Sequence, residues 1–284
     1  MTAGAALDDF ARRALRLVAA RAAGPPLAAG VAVTVHFHPD RLVAGDTVLA
    51  GLARSGRYLS QFVTGVSNGG LSAYRGGARW GWESRLFGGA YDAAPPDARP
   101  VYGAVMTPAR VVGAAPRFGS SFLRLAPETL ERTTFCYPDS VFEPDEVGTA
   151  RCMSLLARAE ADDLELLDSY VEAHVHGGVR LDRDVAALVL DRCYRDTEVA
   201  RLAATLPCPV EWHPGFRLGV DELRRHPDYR GADAVELGAE VAVDGALDPA
   251  VLGAAAATGR YDPQQLKRVW HLVARFGAPD RTAG

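Results

Sequence analysis

The clearest alternation of apolar and polar positions lies at residues 31–38, which read VAVTVHFH. One face carries Val31, Val33, Val35 and Phe37. The opposite face carries Thr34, His36 and His38. A period of two is typical of a β-strand with one buried face. Pro39 is expected to end the strand because it has no backbone N–H to donate. The pattern predicts a strand that presents two imidazoles on one polar face.

The same alternation returns in YVEAHVHGGVRL, residues 170–181. One face of this second predicted strand carries Tyr170, Glu172, His174 and His176. The other face carries Val171, Ala173 and Val175. Because the apolar face suits a core, we expect the face with the carboxylate and the imidazoles to open to a polar cleft.

Other stretches predict an α+β order of elements. Helical spacing predicts an N-terminal helix that begins near Asp8 and Asp9. Short apolar runs predict further strands or short elements in RPVYGAVMT, FGSSFLRL, RTTFCYPDS, VAALVL and PVEWHPGFRL. The acidic stretch 143–168 is predicted to be mostly helical, and LDPAVLGAAAATG and DPQQLKRVWHLVARFG to form two C-terminal helices. We therefore divide the chain into a helix and linker at 1–30, a central domain at 31–220 and a helical segment at 221–284.

The composition excludes some classes of protein. Of 284 residues, 48% are hydrophobic and 23% charged, as in ordinary globular proteins. A net charge of −4 gives the whole chain no electrostatic reason to bind nucleic acid. No apolar run reaches the length of a membrane span, and charges interrupt the N-terminal stretch where a signal peptide would be apolar. We expect a cytoplasmic protein with no membrane partner; its oligomeric state stays open.

The cysteines and the glycine-rich stretch add further expectations. Cysteines 136, 152, 193 and 208 fit no CxxC-type zinc spacing, so free thiols are expected. Residues 60–92 are dense in Gly, Ser, Asn and aromatic residues, and include TGVSNGG at 64–70. Such a loop lets the backbone approach a ligand closely.

Histidine pairs are one candidate for chemistry. Imidazoles at i and i+2 on a strand lie on one face, which suits a divalent metal with several converging ligands. Asp40, Glu172 or Glu211 could complete such a site. An amidohydrolase-type metal barrel needs eight βα units, and this chain has too few. The alternative is that each pair satisfies backbone or carboxylate partners inside the protein.

The chain also resembles a bacterial family recorded as a domain of unknown function. The resemblance rests on HFHPDR, QFVTGVSNGG, LFGGAYD, YGA, RFGS and the E-x-x-x-H-G of EAHVHG, and covers roughly residues 30–220. A weaker resemblance links the same motifs to toxin-type ADP-ribosyltransferases, which combine a strand-borne His, a Ser/Thr-bearing loop and a Glu on a late strand. It implies a split, strongly curved antiparallel sheet with N- and C-terminal helices. His174 stands where that late strand carries Gln, which puts the role of an amide there in doubt.

This second resemblance implies that NAD is the substrate. Glu172 would stabilise the oxocarbenium-like state formed when the nicotinamide–ribose bond breaks. Residues implied in binding NAD are His36, His38, Arg41, Gln61, Thr64, Gly65, Ser67, Asn68 and His174. The sequence has no Rossmann fingerprint or P-loop, as expected if NAD is split. The acceptor, whether protein, nucleic acid, small molecule or water, is not indicated.

Two other functions remain open at this point. One is a metal-dependent hydrolase built on the histidine pairs, and the other a catalytically inactive nucleotide-binding module. Single residues have structural alternatives as well: Glu172 could pair with an arginine, Thr64 and Ser67 could bond their own turn, and Arg41 could be a solvated charge.

Overall fold

A computed structural model describes residues 7–65, 70–108 and 110–279. The chain divides into two compact units. The first unit comprises Met1–Val35, Ser55–Pro108 and Arg124–Ala186. The second unit comprises His36–Arg54, Ala109–Leu123 and Ala187–Gly284. The segments predicted at 1–30, 31–220 and 221–284 stay a prediction.

The α+β class is confirmed. The described strands are β1 Ala32–Phe37, β2 Leu42–Val43, β3 Asp46–Thr47, β4 Arg57–Tyr58, β5 Val101–Met106, β6 Ser121–Leu125, β7 Thr133–Cys136, β8 Val147–Thr149, β9 Glu172–Val175, β10 Val179–Arg180, β11 Val185–Asp191, β12 Val210–His213, β13 Leu218–Gly219 and β14 Ala246–Leu247. The described helices are α1 Asp9–Ala19, α2 Val48–Ser55, α3 Gln61–Thr64, α4 Ala78–Leu86, α5 Leu155–Ala161, α6 Glu198–Ala203, α7 Val220–Leu223, α8 Pro227–Arg230, α9 Ala232–Val241, α10 Pro249–Ala257 and α11 Pro263–Phe276.

Eight strands form the main sheet, in the order β12-β11-β6-β1-β5-β9-β7-β8. The expectation of an antiparallel sheet is wrong for β11 and β12, which run parallel. A parallel pair needs a crossover rather than a hairpin, and residues 192–209 supply one that includes α6. The sheet is therefore mixed. Likeness to the split, curved sheet of ADP-ribosyltransferases stays a prediction.

The register of the first unit sets the faces of its strands. Strand β9 pairs antiparallel with both β5 and β7. Glu172 stands opposite Cys136, and His174 stands opposite Tyr102 and Thr134. Directly opposed residues of an antiparallel pair project to the same face. The polar face of β9 therefore meets polar side chains from both neighbouring strands.

A hydrophobic core lies beside this sheet in the first unit. Its buried members are Ala14, Val18, Trp82, Leu86, Phe87, Ala90, Tyr91, Cys136 and Val147. The predicted N-terminal helix is confirmed as α1, and Asp8 caps it by accepting a hydrogen bond from the backbone N–H of Ala11 at 2.7 Å. Its buried face presents Ala14 and Val18 to the core.

The expectation for residues 143–168 is wrong over most of its length. Only α5 is helical there, and β8 pairs with β7. Backbone pairing with a neighbouring strand outweighed the local helical preference.

The second unit contains the two predicted C-terminal helices. Helix α10 is capped by Asp248 and α11 by Asp262, each followed by Pro at the first helical position. Both features are typical helix starts. In the part of the chain that the structure describes, no helix has the length and apolar character needed to cross a bilayer.

Candidate active site around Glu172

Glu172 is the first residue of β9, and it is buried with 5% of its surface exposed. The face with Glu172 and His174 was expected to open to a cleft, but both residues lie in the interior. Burying a carboxylate is costly unless it is paired and hydrogen-bonded. The surroundings of Glu172 therefore determine what it can do.

Three side chains contact the carboxylate. Nε2 of His174 lies 3.0 Å from Oε1 of Glu172, and the Ser140 hydroxyl donates to Oε2 at 3.0 Å. The Cys136 thiol donates to Oε1 over 3.8 Å. Ser140 in turn accepts a hydrogen bond from Nη1 of Arg79 at 3.1 Å. Donors thus reach both carboxylate oxygens, and a buried guanidinium stands behind one of them.

These contacts keep the carboxylate ionised. Burial alone would raise the pKa of Glu172, but the hydrogen bond from His174 and the positive charge of Arg79 outweigh it. The net effect holds the pKa of Glu172 below its usual value. The Cys136 thiol behaves in the opposite way, since burial and the adjacent Glu172 raise its pKa. The site therefore pairs a buried carboxylate with a protonated thiol.

A line of hydrogen bonds leads away from Glu172 through two imidazoles. Thr134 Oγ1 lies 3.3 Å from Nδ1 of His174 and 3.0 Å from Nε2 of His176. Nδ1 of His176 lies 2.7 Å from the Tyr91 hydroxyl. Burial lowers the pKa of His176 to about 3, so this ring is neutral. A neutral imidazole donates from one ring nitrogen and accepts at the other, so His176 bridges Tyr91 and Thr134.

Aromatic and charged residues form a second group beside the site. The Arg79 guanidinium lies 4.1 Å from the centre of the Tyr102 ring, and that ring meets the His174 imidazole edge-on at 5.1 Å. The Tyr102 hydroxyl donates to Oε1 of Glu83 at 3.0 Å. Glu83 is fully buried and paired with Arg99. These contacts hold Arg79 and His174 in place.

The same residues include one candidate group of metal ligands. Cys136, Glu172 and His174 each offer an atom, and the three atoms lie within 4.8 Å of one another. Thiolate, carboxylate and imidazole form a ligand set that zinc accepts. Asp40 and Glu211, which the sequence suggested as ligands, are not members of this group.

His36 lies in the second unit and is structural in its contacts. Its Nδ1 lies 2.9 Å from the carbonyl oxygen of Gly119, and its Nε2 accepts from the backbone N–H of Ala115 at 3.3 Å. The ring packs against Phe122 at 5.1 Å. His36 was expected on an open polar face but is buried, with 6% exposed. Backbone groups already use both of its ring nitrogens.

The other expected NAD-binding residues fall into three groups. His38 and Arg41 belong to the second unit, where the His38 ring meets Trp270 edge-on at 4.8 Å. Gln61 and Thr64 lie on α3, which ends at Gly65 in the left-handed conformation. The Thr64 hydroxyl donates to the Ser60 carbonyl at 3.4 Å, so it bonds its own turn. Ser67 and Asn68 lie outside the described residues. The prediction that these residues bind NAD stays a prediction.

Comparison with known proteins adds one finding. A family model described as "Protein of unknown function (DUF3626)" matches residues 32–161 and 151–276. The chain belongs to the DUF3626 family. This confirms the first resemblance, and both matches together contain the residues around Glu172. No curated protein matches the chain. The likeness of this DUF3626 protein to ADP-ribosyltransferases stays a prediction.

Several residues of the site were missed in the sequence. Thr134 and Cys136 alternate in RTTFCYPDS, and this period of two places them on one face. That signal was available. Arg79, Tyr91 and Ser140 carry no comparable signal, because each comes from a helix or turn distant in sequence.

Proposed function

We propose that this DUF3626 protein cleaves NAD and transfers its ADP-ribose to an acceptor or to water, with Glu172 as the catalytic carboxylate. The observation that carries the proposal is an ionised carboxylate held inside the protein by Ser140 and His174. A fixed negative charge in a water-poor site stabilises a developing cation strongly, because little reorganisation is needed.

The reaction suits a single carboxylate. The bond between ribose C1′ and the nicotinamide nitrogen breaks, and its electron pair leaves with nicotinamide, which was cationic and becomes neutral. No general acid is needed for this leaving group. The remaining C1′ carries oxocarbenium character, and Glu172 stabilises it. The acceptor or water then bonds to C1′ and loses a proton.

The neighbours of Glu172 have positioning roles in this proposal. A carboxylate has about four lone-pair directions, so contacts from His174, Ser140 and the weakly donating Cys136 leave one of them for a ribose hydroxyl. Arg79, through Ser140, fixes the orientation of the second oxygen.

The test compares nicotinamide release by the wild type and Glu172→Gln, with NAD affinity measured alongside. Glutamine keeps the size and loses the charge, so the rate should fall by on the order of 10²–10³ while NAD affinity is retained. Glu143→Gln is the matched control, since that carboxylate is exposed and pairs with Arg85. A wild type that releases no nicotinamide, or a Glu172→Gln rate within about three-fold of wild type, would contradict the proposal.

A metal-dependent hydrolase is the second candidate, and the convergence of Cys136, Glu172 and His174 favours it. These three residues would hold the ion, which would supply an activated water at a position left open. Nδ1 of His174 would then donate to Thr134, as ligating histidines commonly do to a neighbouring oxygen.

Metal analysis separates the two candidates. If the protein is a metal-dependent hydrolase, it should contain about one equivalent of zinc or manganese after chelator-free purification. The Cys136→Ser variant should then lose this metal. If the protein cleaves NAD with Glu172, nicotinamide release should persist in the presence of a chelator. A protein that binds neither NAD nor metal would favour the third function, a catalytically inactive nucleotide-binding module.

A further inference from the structure

Helix α11 carries the only lysine of the 284-residue sequence, Lys267. His271 follows it by four residues, so the two side chains lie on the same face of the helix, one turn apart. Lys267 is half-buried, and His271 is buried with 6% of its surface exposed. A lysine and a histidine on a covered helix face require an explanation, because neither is usually buried without a partner.

Segments that pack on α11 bring further cations to this face. Helix α11 contacts the 3₁₀ turn Pro116–Phe118 and helix α8. Arg117 lies on the first of these and Arg230 on the second. The Trp270 indole N–H donates to the carbonyl oxygen of Pro116 at 3.0 Å and fixes the turn against the helix. The cations are therefore placed by the packing of the second unit.

The pKa shifts of Lys267 and His271 are consistent with this grouping of cations. Burial, followed by the charges of Arg117, Arg41 and Arg230, lowers the pKa of Lys267. Burial, followed by Arg230 and Arg117 and then by Lys267, lowers the pKa of His271 to about 3. Arg117 and Arg230 act on both side chains, so the two share the same cationic surroundings.

Buried nitrogens of His271 and Arg230 lack hydrogen-bond partners. Nε2 of His271 and Nε of Arg230 are buried, and neither has a partner among the described residues. Such groups are rare in folded proteins, and each usually marks a missing water, ion or ligand. Arg268, on the same helix, differs because it is paired with Asp233. The helix thus carries an arginine paired with a carboxylate and, one residue earlier, a lysine whose pKa is lowered by burial and by neighbouring arginines.

We propose that the second unit binds a phosphate-bearing anion at the Lys267 cluster, which consists of Arg41, Arg117, Arg230, Lys267 and His271. Three guanidinium groups and one ammonium group suit an oxyanion with two or more charges better than a single carboxylate. Arginine binds phosphate oxygens through paired N–H groups, and lysine adds a point charge. The site does not depend on Glu172 or on the proposed function.

The first test uses the wild-type protein and the fact that it has one lysine. The full chain is acetylated with an amine-directed reagent, with and without inorganic pyrophosphate, and modification is followed by mass spectrometry. Pyrophosphate should slow acetylation of Lys267 and leave the α-amino group, the internal control, unchanged. Equal rates at Lys267 with and without pyrophosphate would overturn the proposal. Orthophosphate, AMP and ADP in parallel distinguish free phosphate from a nucleotide as the source of the anion.

The second test measures pyrophosphate affinity by calorimetry. Lys267→Gln and Arg230→Gln should each weaken binding by about ten-fold or more, the loss of one charge-assisted hydrogen bond. Arg268→Gln is the matched control and should bind within about two-fold of wild type. Affinity should also fall with added salt. Unchanged binding in whichever of Lys267→Gln and Arg230→Gln folds, or equal weakening in Arg268→Gln, would overturn the proposal; if neither folds, the labelling experiment decides.

Discussion

The Tyr91 hydroxyl lies 2.7 Å from Nδ1 of His176, and the two rings stack nearly parallel with centres 5.8 Å apart. The His176 ring is neutral, so a Tyr91 hydroxyl that donates to Nδ1 places the His176 proton on Nε2, directed at Thr134. Thr134 also contacts Nδ1 of His174, and Nε2 of His174 donates to the ionised Glu172. A series of hydrogen bonds thus joins Tyr91 to the candidate catalytic carboxylate.

Removing the Tyr91 hydroxyl should change the direction of the hydrogen bonds that His176 forms. Tyr91→Phe keeps the stacked ring and leaves Nδ1 of His176 without a donor. We expect a loss of about 1–3 kcal/mol in the free energy of unfolding, the cost of an unsatisfied buried group. Urea unfolding measures the loss, and ¹⁵N chemical shifts of the His176 ring report its tautomer.

Tyr74→Phe is the control for this change, since Tyr74 is 64% exposed. It should alter the free energy of unfolding by less than about 0.5 kcal/mol. An unchanged His176 tautomer in Tyr91→Phe would show that Tyr91 does not determine the direction of the line.

Buried histidines should make the protein sensitive to acid. Burial lowers the pKa of His36, His38, His176 and His271 to about 3, against a usual value of 6.5. The folded state therefore binds fewer protons than the unfolded state below pH 6.5, and stability falls as the pH falls toward 3. Each of the four should remove about 1.4 kcal/mol of stability per pH unit below 6.5, or about 2 kcal/mol at pH 5. Urea unfolding at pH 7 and pH 5 measures the difference.

His176→Gln separates one of these contributions. The variant should be less stable at pH 7 but lose about 2 kcal/mol less than the wild type on going to pH 5. Equal losses in the variant and in the wild type would mean that His176 accepts no proton on unfolding.

Asp40 should have the opposite effect on stability. Burial, reinforced by the neighbouring Asp248, raises the pKa of Asp40 from 3.8 to about 6. The folded state takes up the Asp40 proton more readily than the unfolded state does. The resulting stabilisation is fully present below pH 3.8 and is lost as the pH rises through 6. Asp40→Asn removes the buried charge, so it should be more stable than wild type above pH 6, by about 3 kcal/mol at most. A variant that is less stable than wild type at pH 8 would contradict this.

The buried pair of Glu83 and Arg99 should be costly to break. Both side chains are almost fully buried, and Arg99 also donates to the carbonyl oxygen of Tyr91 at 2.8 Å. Arg99→Met leaves Glu83 as an uncompensated buried charge, which costs about 3–5 kcal/mol. Adding Glu83→Gln should recover part of that loss. Thermal and urea unfolding of both variants measure the effect.

Arg85→Met is the matched control, because Arg85 forms an exposed ion pair with Glu143 at 2.8 Å. This substitution should lower the free energy of unfolding by less than about 1 kcal/mol. If Arg85→Met and Arg99→Met cost the same, burial does not set the strength of these pairs.

Period-two and helical patterns were informative where one element determines its own shape. The alternation of residues 31–38 predicted β1, and the alternation of 170–181 predicted β9 with Glu172 and His174 on one face. Asp262 followed by Pro263 marked the start of α11. Local sterics and capping bonds decide these features, and both are readable in a single stretch of chain.

Whether the polar face of each strand is exposed or buried was not predictable in the same way. His36 and Glu172 were expected to face a cleft, but both are buried, because backbone groups or side chains from other segments satisfy them. An alternating strand has the same pattern whether its polar face meets water or a buried network.

The amino-acid sequence by itself determined β1, β9 and the terminal helices, the α+β class, membership of the DUF3626 family and the choice of Glu172 as the residue to test. Only the tertiary structure brought Cys136, Ser140 and Arg79 to Glu172, and Lys267 to Arg117 and Arg230. The physical reason is that hydrogen bonds and charges act over a few ångströms in space, while these residues are tens to more than a hundred positions apart along the chain.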